Sequence, residues 1–171
     1  MIDKQGENFE IRLAVHDDLV AMTEIYNMAI RSRRCTGHMI EFDASEREEW
    51  FSEHSCEKYP IYVAEMGGKV IGYVHISPYI KRQAFNGAVE ITYYLDFSYR
   101  GRGVGTALCD FMLRKCRRLG YDAVIGTLLE INKESIGLLE KFGFELWGRM
   151  PQIIDMGNGN ICDFVIYGLK L

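Results

Sequence analysis

The sequence has no long hydrophobic run, and we expect no secretion leader. Apolar residues nowhere continue for the roughly 18 positions that a membrane-spanning helix requires. The first residues, from Met1 to Gly6, contain no apolar segment of the kind that a signal peptide needs. The five cysteines are odd in number and lack C-x-x-C spacing, which argues against a disulfide framework. We therefore predict a cytoplasmic protein with reduced thiols.

Common nucleotide and metal motifs are also missing. The P-loop pattern G-x-x-x-x-G-K-[ST] and the dinucleotide fingerprint G-x-G-x-x-G do not match. The four histidines, His16, His38, His54 and His75, have no ligand spacing such as H-E-x-x-H. The formal net charge of −4 disfavours general affinity for nucleic acid or anionic membranes. We expect no metal site and neither of those partners.

The length of 171 residues fits one ordinary domain. The three prolines are scattered, and we find no internal repeat, low-complexity tract or Pro/Ser-rich linker. We predict a single domain over residues 1–171, with its core in 9–170.

Hydrophobic periodicity predicts the element order β-α-α-β-β-β-α-β-α-β-β. Helix ends are indicated by His16-Asp17-Asp18, by a Ser45–Glu48 capping box, and by Gly120 and Gly143 as C-terminal stops. A hairpin run between helical segments implies an α/β (α+β) fold with one mixed sheet of about seven strands and about four flanking helices. The predicted strands are 9–15, 60–65, 70–77, 88–96, 122–128, 144–150 and 161–169, and the predicted helices are 19–29, 45–51, 104–119 and 135–142.

The segment from Tyr94 to Thr106 carries the strongest chemical signal. A strand ends, the run Arg100-Gly101-Arg102-Gly103-Val104-Gly105 follows, and a helix begins. Glycines let the backbone approach an anion, and the start of a helix offers unpaired N–H donors. Arginines at 100 and 102 add charge suited to phosphates. The pattern predicts a pyrophosphate cradle, and an ordinary glycine-rich turn is the alternative.

Two segments together resemble the acetyl-CoA motifs of the GNAT superfamily of N-acetyltransferases. The first is R-x-x-G-x-G, which begins at Arg100, and the second is N-x-x-S-I-x-L-x-E-K-x-G-F, which begins at Asn132. The chain is most similar to the phosphinothricin and methionine sulfoximine N-acetyltransferases, in stretches such as 25–27 and 89–92. The resemblance runs from near Phe9 to the C-terminus. It implies the GNAT fold, acetyl-CoA as cosubstrate and no metal.

The resemblance also implies roles for individual residues. Glu90 matches the acidic residue that contacts the substrate amine and acts as a base through water. Lys81 and Arg82 match a basic substrate-binding turn, and Thr92 joins them in the substrate site. The implied cofactor-binding residues are Tyr93, Tyr94, Leu95, Arg100, Gly101, Arg102, Gly103, Val104, Gly105, Thr106, Asn132 and Ser135.

The residues of the long strand support this chemistry independently. Glu90, Thr92 and Tyr94 share one face of an extended strand, so Glu90 can face a cleft and take a proton from an ammonium. A backbone N–H near Tyr94 or Leu95 would meet the oxyanion. The alternative for Glu90 is a solvent-facing strand residue, and that for Lys81-Arg82 is a solvated turn. Thiols are fair leaving groups, so the general acid stays open, with tyrosines 93, 94 and 99 as candidates by proximity.

Other features concern the acceptor and the mechanism. Cys109 and Cys116 lie seven apart in a helical pattern without a nearby histidine, which indicates core packing and not an acyl-cysteine intermediate. The sequence departs from the resembled group at 34–43, at Leu139 and at Ile161, positions that line or border the acceptor pocket in relatives. These departures concern the identity of the acceptor amine and not the type of reaction.

The leading hypothesis is acetyl-CoA-dependent acetylation of the primary amine of a small amino acid or analogue. Acetylation of a protein N-terminus or an internal lysine is the alternative within the same class. A non-enzymatic acyl-CoA sensor is the alternative of another class. The small-molecule amine is the expected partner, together with a possible homodimer, which is common in the resembled group.

Overall fold

Seven strands form one sheet, and four α-helices flank it, in the computed structural model, which describes residues 1–54 and 56–171. None of the helices in these ranges is long and apolar enough to cross a membrane. The strands are β1 Glu10–Leu13, β2 Ile61–Met66, β3 Lys69–Pro78, β4 Ala88–Leu95, β5 Ala123–Leu129, β6 Glu145–Asp155 and β7 Ile161–Lys170. The helices are α1 Leu19–Ser32, α2 Glu48–Ser52, α3 Val104–Leu119 and α4 Lys133–Lys141.

The sheet order is β1-β2-β3-β4-β5-β7-β6. Its neighbours are antiparallel except β4 and β5, which pair in parallel. A parallel pair needs a crossover connection, and α3 supplies it between β4 and β5. The predicted mixed sheet, with its strand and helix numbers, is confirmed.

The two faces of the sheet carry separate hydrophobic clusters. On one face, Leu108 and Met112 of α3 are fully buried against β-strand residues such as Val89 and Val124. On the other, Met22 of α1 packs in a cluster with side chains of β2 and β3. Alternation along the strands sends neighbouring side chains to opposite clusters, which is why both faces are apolar.

The bounds of α3 follow from its glycines. The helix begins after Gly103, whose φ is 93°, and ends at Gly120, whose φ is 79°. The Gly120 N–H donates to the carbonyls of Arg117 and Cys116, which satisfies the end of the helix. Gly143 also has a positive φ, of 84°, just after α4. The predicted stops at Gly120 and Gly143 are confirmed.

α1 begins at Leu19, as predicted, but the expected side-chain capping bond is absent. Residues His16–Asp18 form a 3-10 turn, and the Asp18 carboxylate makes no capping bond to α1. It accepts the Val15 N–H at 2.8 Å and pairs with both terminal nitrogens of Arg12, at 2.7 and 2.8 Å. A buried carboxylate close to a guanidinium is better satisfied by the ion pair than by backbone N–H groups. The predicted N-cap function of Asp18 is therefore wrong.

The predicted Ser45–Glu48 capping box is also wrong. The capping residues are instead Asp43 and Glu46, each two positions earlier. Glu46 Oε2 accepts the Asp43 N–H at 2.7 Å, at the start of a 3-10 turn over Ala44–Arg47. Glu48 instead contacts His16, with 2.8 Å between Oε2 and Nε2. Asp and Ser are both good N-cap residues, so local sequence alone does not choose between them.

The last two strands extend beyond the prediction. β6 continues past Met150 to Asp155, through a register irregularity between Met150 and Ile154. Pro151 lies within the observed strand, although proline is rare in strand interiors. Here β6 is an edge strand, where a missing N–H costs no ladder bond.

Candidate active site

The candidate site is a cleft where β4 and β5 separate. The two strands pair over only three positions, from Ala88↔Ala123 to Glu90↔Ile125. Beyond Glu90 they diverge, and residues 90–95 and 126–129 line the same cavity. The cavity has a volume of about 490 Å³. A sheet that opens along one parallel pair leaves backbone groups of both strands free to bind a ligand.

Hydrogen bonds at the strand ends fix which backbone groups face this cleft. The Asp96 N–H donates to the Ile71 carbonyl at 3.0 Å, so even-numbered residues of β4 direct their backbone groups to β3. The Gly87 carbonyl accepts the N–H of Ala123, on β5, at 3.2 Å. The backbone N–H and C=O groups of odd-numbered residues therefore point toward β5 and, beyond the paired positions, into the cleft. Tyr93 and Leu95 therefore present N–H and C=O groups to the cavity. The expectation that the Tyr94 backbone does the same is wrong.

The glycine-rich run between β4 and α3 forms one end of the cavity. Arg100, Gly101, Gly103, Gly105 and Thr106 all line it. The backbone turns with φ of 73° at Gly101 and 93° at Gly103, which glycine adopts without strain.

Gly105 shows why a side chain is excluded from this loop. A Cβ there would lie 3.1 Å from Cδ1 of Leu95 and 3.6 Å from Cδ2 of Leu138. The bare backbone is therefore packed between β4 and α4. N–H groups at the start of α3, next to three glycines, form a surface suited to phosphate oxygens.

The two arginines of the loop have different surroundings. Arg100 is exposed, lines the cavity and lies over the Phe97 ring, 3.4 Å from its centroid. Arg102 points away from the cavity lining and pairs with the carboxylates of Asp3 and Glu7. The expectation that the Arg102 guanidinium adds charge for phosphates is therefore wrong, because two carboxylates already neutralise it. Val104 contributes only backbone, since its side chain is buried in the core.

Glu90 lies where the strands part. The Thr127 hydroxyl, on β5, donates to Oε1 of Glu90 across the gap. Burial raises the pKa of Glu90, and the Thr127 hydrogen bond acts against that rise by stabilising the carboxylate. A carboxylate with a raised pKa, placed in a cavity, is suited to accept a proton.

Asn132 and Ser135 lie at the start of α4, in the cavity lining. Asn132 Oδ1 accepts the Ser135 N–H at 3.3 Å and so caps the helix. Its amide NH₂ group is left as a donor at the buried end of the cavity, where Asn132 is 6% exposed.

The tyrosines differ in how free their hydroxyls are. Tyr93 donates its hydroxyl to the Ser135 carbonyl at 3.3 Å. Burial raises the pKa of Tyr93 and that of Tyr94. Tyr94 packs against Tyr26, with 4.9 Å between the ring centroids. Neither geometry singles out one tyrosine as the general acid.

The predicted basic turn lies outside the cavity lining. Lys81 and Arg82 are exposed, and the Lys81 ammonium lies 3.5 Å from the Glu53 carboxylate. Within this chain the structure does not bring them to Glu90 and Thr92, which do line the cavity. The turn between β3 and β4 begins just after the pair Pro78↔Val89, one position beyond Ser77↔Glu90, and its residues 81–86 are exposed.

The cavity lining includes further residues. Cys35, Thr36 and Gly37 come from the connection after α1, within the segment 34–43 that the resemblance places at the acceptor pocket, and Leu139 lines the cavity as well. Lys4, from the N-terminal segment, and Phe164, from β7, were missed. No periodicity or motif marks these two positions, because each reaches the cleft through tertiary folding alone.

The cysteines of α3 are core residues, as predicted. Cys109 and Cys116 are fully buried, and burial raises the pKa of each thiol to about 12. A thiol in that state is a poor nucleophile. All five cysteines are free.

A mixed sheet that opens between its parallel strands, beside a glycine-rich turn into a helix, defines the chain as an acetyltransferase of the GNAT type. Residues 20–144 match the model of the Acetyltransferase (GNAT) family, and the chain belongs to that family. The predicted membership is confirmed.

Several similar proteins are named as acetyltransferases of amino-acid analogues. YwnH of Bacillus subtilis (strain 168), a candidate phosphinothricin acetyltransferase, is 38% identical over 162 residues, which cover 94% of this chain and 98% of YwnH. An L-methionine sulfoximine/L-methionine sulfone acetyltransferase of Pseudomonas paraeruginosa is 32% identical over 84% of each chain. A phosphinothricin acetyltransferase from Sinorhizobium meliloti, solved in complex with AcCoA, is 31% identical with a TM-score of 0.90, covering 95% of this chain and 88% of that one.

Proposed function

We propose that the protein transfers the acetyl group of acetyl-CoA to the α-amino group of a small amino acid or analogue, of the phosphinothricin or methionine sulfoximine type. The observation that carries this proposal is the position of Glu90 in the same cavity as the glycine-rich loop. Leu95 lies five positions after Glu90 on β4, or about 16 Å at the rise of a strand. An extended pantetheine arm can connect the two ends, which would bring the thioester to Glu90.

The cosubstrate would be held mainly by backbone groups. N–H groups of the loop from Arg100 to Thr106 would bind the pyrophosphate, with Arg100 as the nearby cation. The free N–H and C=O groups of Tyr93 and Leu95 would pair with the pantetheine amides. Gly105 fits this arrangement, because a Cβ there would crowd Leu95 and push the start of α3 away from β4.

Transfer requires a neutral amine. Glu90 would take the proton of the substrate ammonium, directly or through one water, so that the nitrogen lone pair can attack the thioester carbonyl. The C–N bond forms as the C–S bond breaks, and the electron pair leaves with the sulfur. A cleft-facing backbone N–H of β4 close to the thioester would stabilise the oxyanion. The attacking nitrogen loses its second proton as the amide forms, and the thiolate takes up one proton, either that one or one exchanged with solvent, to leave as the thiol.

The substrate class is supported by the relatives, two of which are named for amino-acid analogues. The test is release of free thiol from acetyl-CoA with a panel containing phosphinothricin, methionine sulfoximine, methionine sulfone and natural amino acids. The proposal predicts turnover with at least one of them. A peptide panel in the same assay tests transfer to an N-terminus or a lysine. Acetyl-CoA binding without thiol release from any amine would instead indicate a sensor.

We also propose a homodimer located in the cytoplasm. Four large apolar side chains of the edge strand β6, Leu146, Trp147, Met150 and Ile153, are 42–57% exposed. Exposed apolar side chains on an edge strand are typical of an association site. Free thiols at all five cysteines suit the reducing interior of a cell.

A further inference from the structure

The N-terminal segment, residues 1–9, is fixed against the glycine-rich loop. Asp3 is buried, with a fully covered side chain, and pairs with Arg102. Its Oδ1 also accepts the N–H groups of Gln5 and Glu7, each at 2.9 Å. Phe9 then enters the main core at 5% exposure. The segment is therefore held at both ends.

Lys4 lies between these anchors and next to the loop. Its N–H donates to the Arg102 carbonyl at 2.9 Å. Its side chain crosses Gly103, since a Cβ on that glycine would lie 3.7 Å from Cγ and 3.9 Å from Cε of Lys4. Lys4 also lines the cavity. The ammonium group is thus next to the backbone that turns into α3.

The charges around the loop leave Lys4 available for an anion. Asp3 and Glu7 neutralise Arg102, whereas within the described ranges no carboxylate is paired with Lys4. The cations that line the cavity are Lys4 and Arg100, which enter it from different segments of the chain. An ammonium beside unpaired N–H groups is suited to a phosphate oxygen.

We infer that Lys4 is a phosphate-binding residue of the acetyl-CoA site, held in place by the Asp3–Arg102 ion pair. This assignment rests on the proposed function and adds a residue that lies outside both sequence motifs. The ammonium contacts a phosphate group of the cosubstrate from the side of the loop opposite the sheet. It binds the ground state and the transition state equally, because the phosphates take no part in the transfer.

The test compares Lys4→Met, Lys4→Arg and Lys141→Met with the wild type. Met keeps the length of the stem over Gly103 and removes the charge. Lys141 is exposed at the end of α4, outside the cavity lining, and serves as the charge-matched control. Calorimetry with acetyl-CoA should show a dissociation constant about tenfold higher for Lys4→Met, as expected for loss of one charged hydrogen bond. Lys4→Arg and Lys141→Met should stay within about twofold of the wild type on the same scale.

Turnover separates binding from chemistry. Lys4→Met should raise the KM for acetyl-CoA and leave kcat unchanged. With S-acetylpantetheine, which has no phosphate, wild type and Lys4→Met should have equal kcat/KM. With 3′-dephospho-acetyl-CoA, a difference in kcat/KM between wild type and Lys4→Met that persists assigns the Lys4 contact to the pyrophosphate. If that difference disappears, the contact is with the 3′-phosphate.

Two results would overturn the inference. One is an unchanged acetyl-CoA dissociation constant in a Lys4→Met protein that unfolds at the wild-type temperature. The other is the same loss of kcat/KM with S-acetylpantetheine as with acetyl-CoA. A wild-type protein that binds no acetyl-CoA would instead contradict the proposed function itself.

Discussion

Thr127 donates its hydroxyl to Glu90 across the point where β4 and β5 part. The contact joins the two strands just beyond their last paired position, Glu90↔Ile125. It also sets the charge state of the carboxylate, because burial and the hydrogen bond move the pKa of Glu90 in opposite directions. The hydrogen bond therefore lies where the strand pairing ends, and it acts on the candidate base, Glu90.

Replacing Glu90 by Gln removes the proposed base and keeps the shape of the side chain. We expect kcat to fall by about 10²- to 10⁴-fold, the usual contribution of a general base, with little change in the dissociation constant of acetyl-CoA. Thiol release and calorimetry measure the two quantities. Glu10→Gln, at an exposed glutamate of β1, is the control. A rate within about threefold of the wild type would remove Glu90 from the mechanism.

Thr127→Val should move the acidic limb of the pH profile. Activity requires the Glu90 carboxylate, so kcat/KM falls as the pH drops through its pKa. Without the hydroxyl the carboxylate loses a stabilising hydrogen bond, the pKa rises further, and the limb moves to higher pH. Thr127→Ser keeps the hydroxyl and should keep the wild-type profile. A limb that stays in place, or moves to lower pH, contradicts this role for Thr127.

Asp3→Asn should destabilise the protein in a pH-dependent way. Burial acts to raise the pKa of Asp3, but hydrogen bonds from the Glu7 N–H and from Arg102 outweigh it and lower the pKa below its ordinary 3.8. A lowered pKa means that the carboxylate stabilises the fold above about pH 4 and that this contribution is lost as the pH falls further.

Urea unfolding at several pH values measures this effect. The free energy of unfolding of Asp3→Asn should lie below that of the wild type at pH 7, and the gap should narrow in acid. Asp17→Asn, at an exposed carboxylate, should show no such gap. Equal stability of Asp3→Asn and wild type at pH 7 is the contrary result.

Two glycine substitutions should have opposite effects. Gly103 has φ of 93°, so Gly103→Ala should lower the free energy of unfolding by about 1–2 kcal/mol through backbone strain, and should weaken acetyl-CoA binding. Gly137 lies inside α4 with open space around it, so Gly137→Ala should raise that free energy by up to about 1 kcal/mol. Denaturant titration decides both. A stabilised Gly103→Ala variant would contradict the backbone account of the loop.

The apolar edge strand provides a prediction for assembly. The double variant Leu146→Lys/Ile153→Lys should convert a dimer to a monomer, because charged side chains on the exposed surface of β6 oppose its burial. Light scattering after size-exclusion chromatography gives the mass. Val20→Lys, at a valine of α1 that is 69% exposed, is the control. A wild-type protein that is already monomeric contradicts the proposed homodimer.

Local rules predicted much of the fold. The predicted span of α3 matches the structure because a glycine lies directly at each end, Gly103 and Gly120, and one apolar stripe runs between them. The loop was found for the same reason, since strand, turn and helix follow one another in the sequence. Glu90 was assigned by resemblance and by the face of β4 that it occupies, and its catalytic role stays a prediction. For the helix and the loop, residues close together in the sequence were enough for the prediction.

Tertiary contacts explain what was missed. Asp3 meets Arg102 across 99 positions of the sequence, and no local pattern indicates that pairing. His16-Asp17-Asp18 was predicted to cap α1, but the Asp18 carboxylate pairs instead with Arg12 of β1, a pairing that no capping pattern indicates. Lys81 and Arg82 were placed in the site by resemblance alone, and the turn that carries them lies outside the cavity of this chain.

The most direct measurement is a crystal structure with CoA and L-methionine sulfone bound together. The account predicts CoA between β4 and β5, its pyrophosphate on the N–H groups of residues 100–106, and the α-amino nitrogen within reach of Glu90, directly or through one water. Phosphates bound elsewhere, or an amino group remote from Glu90, would contradict it.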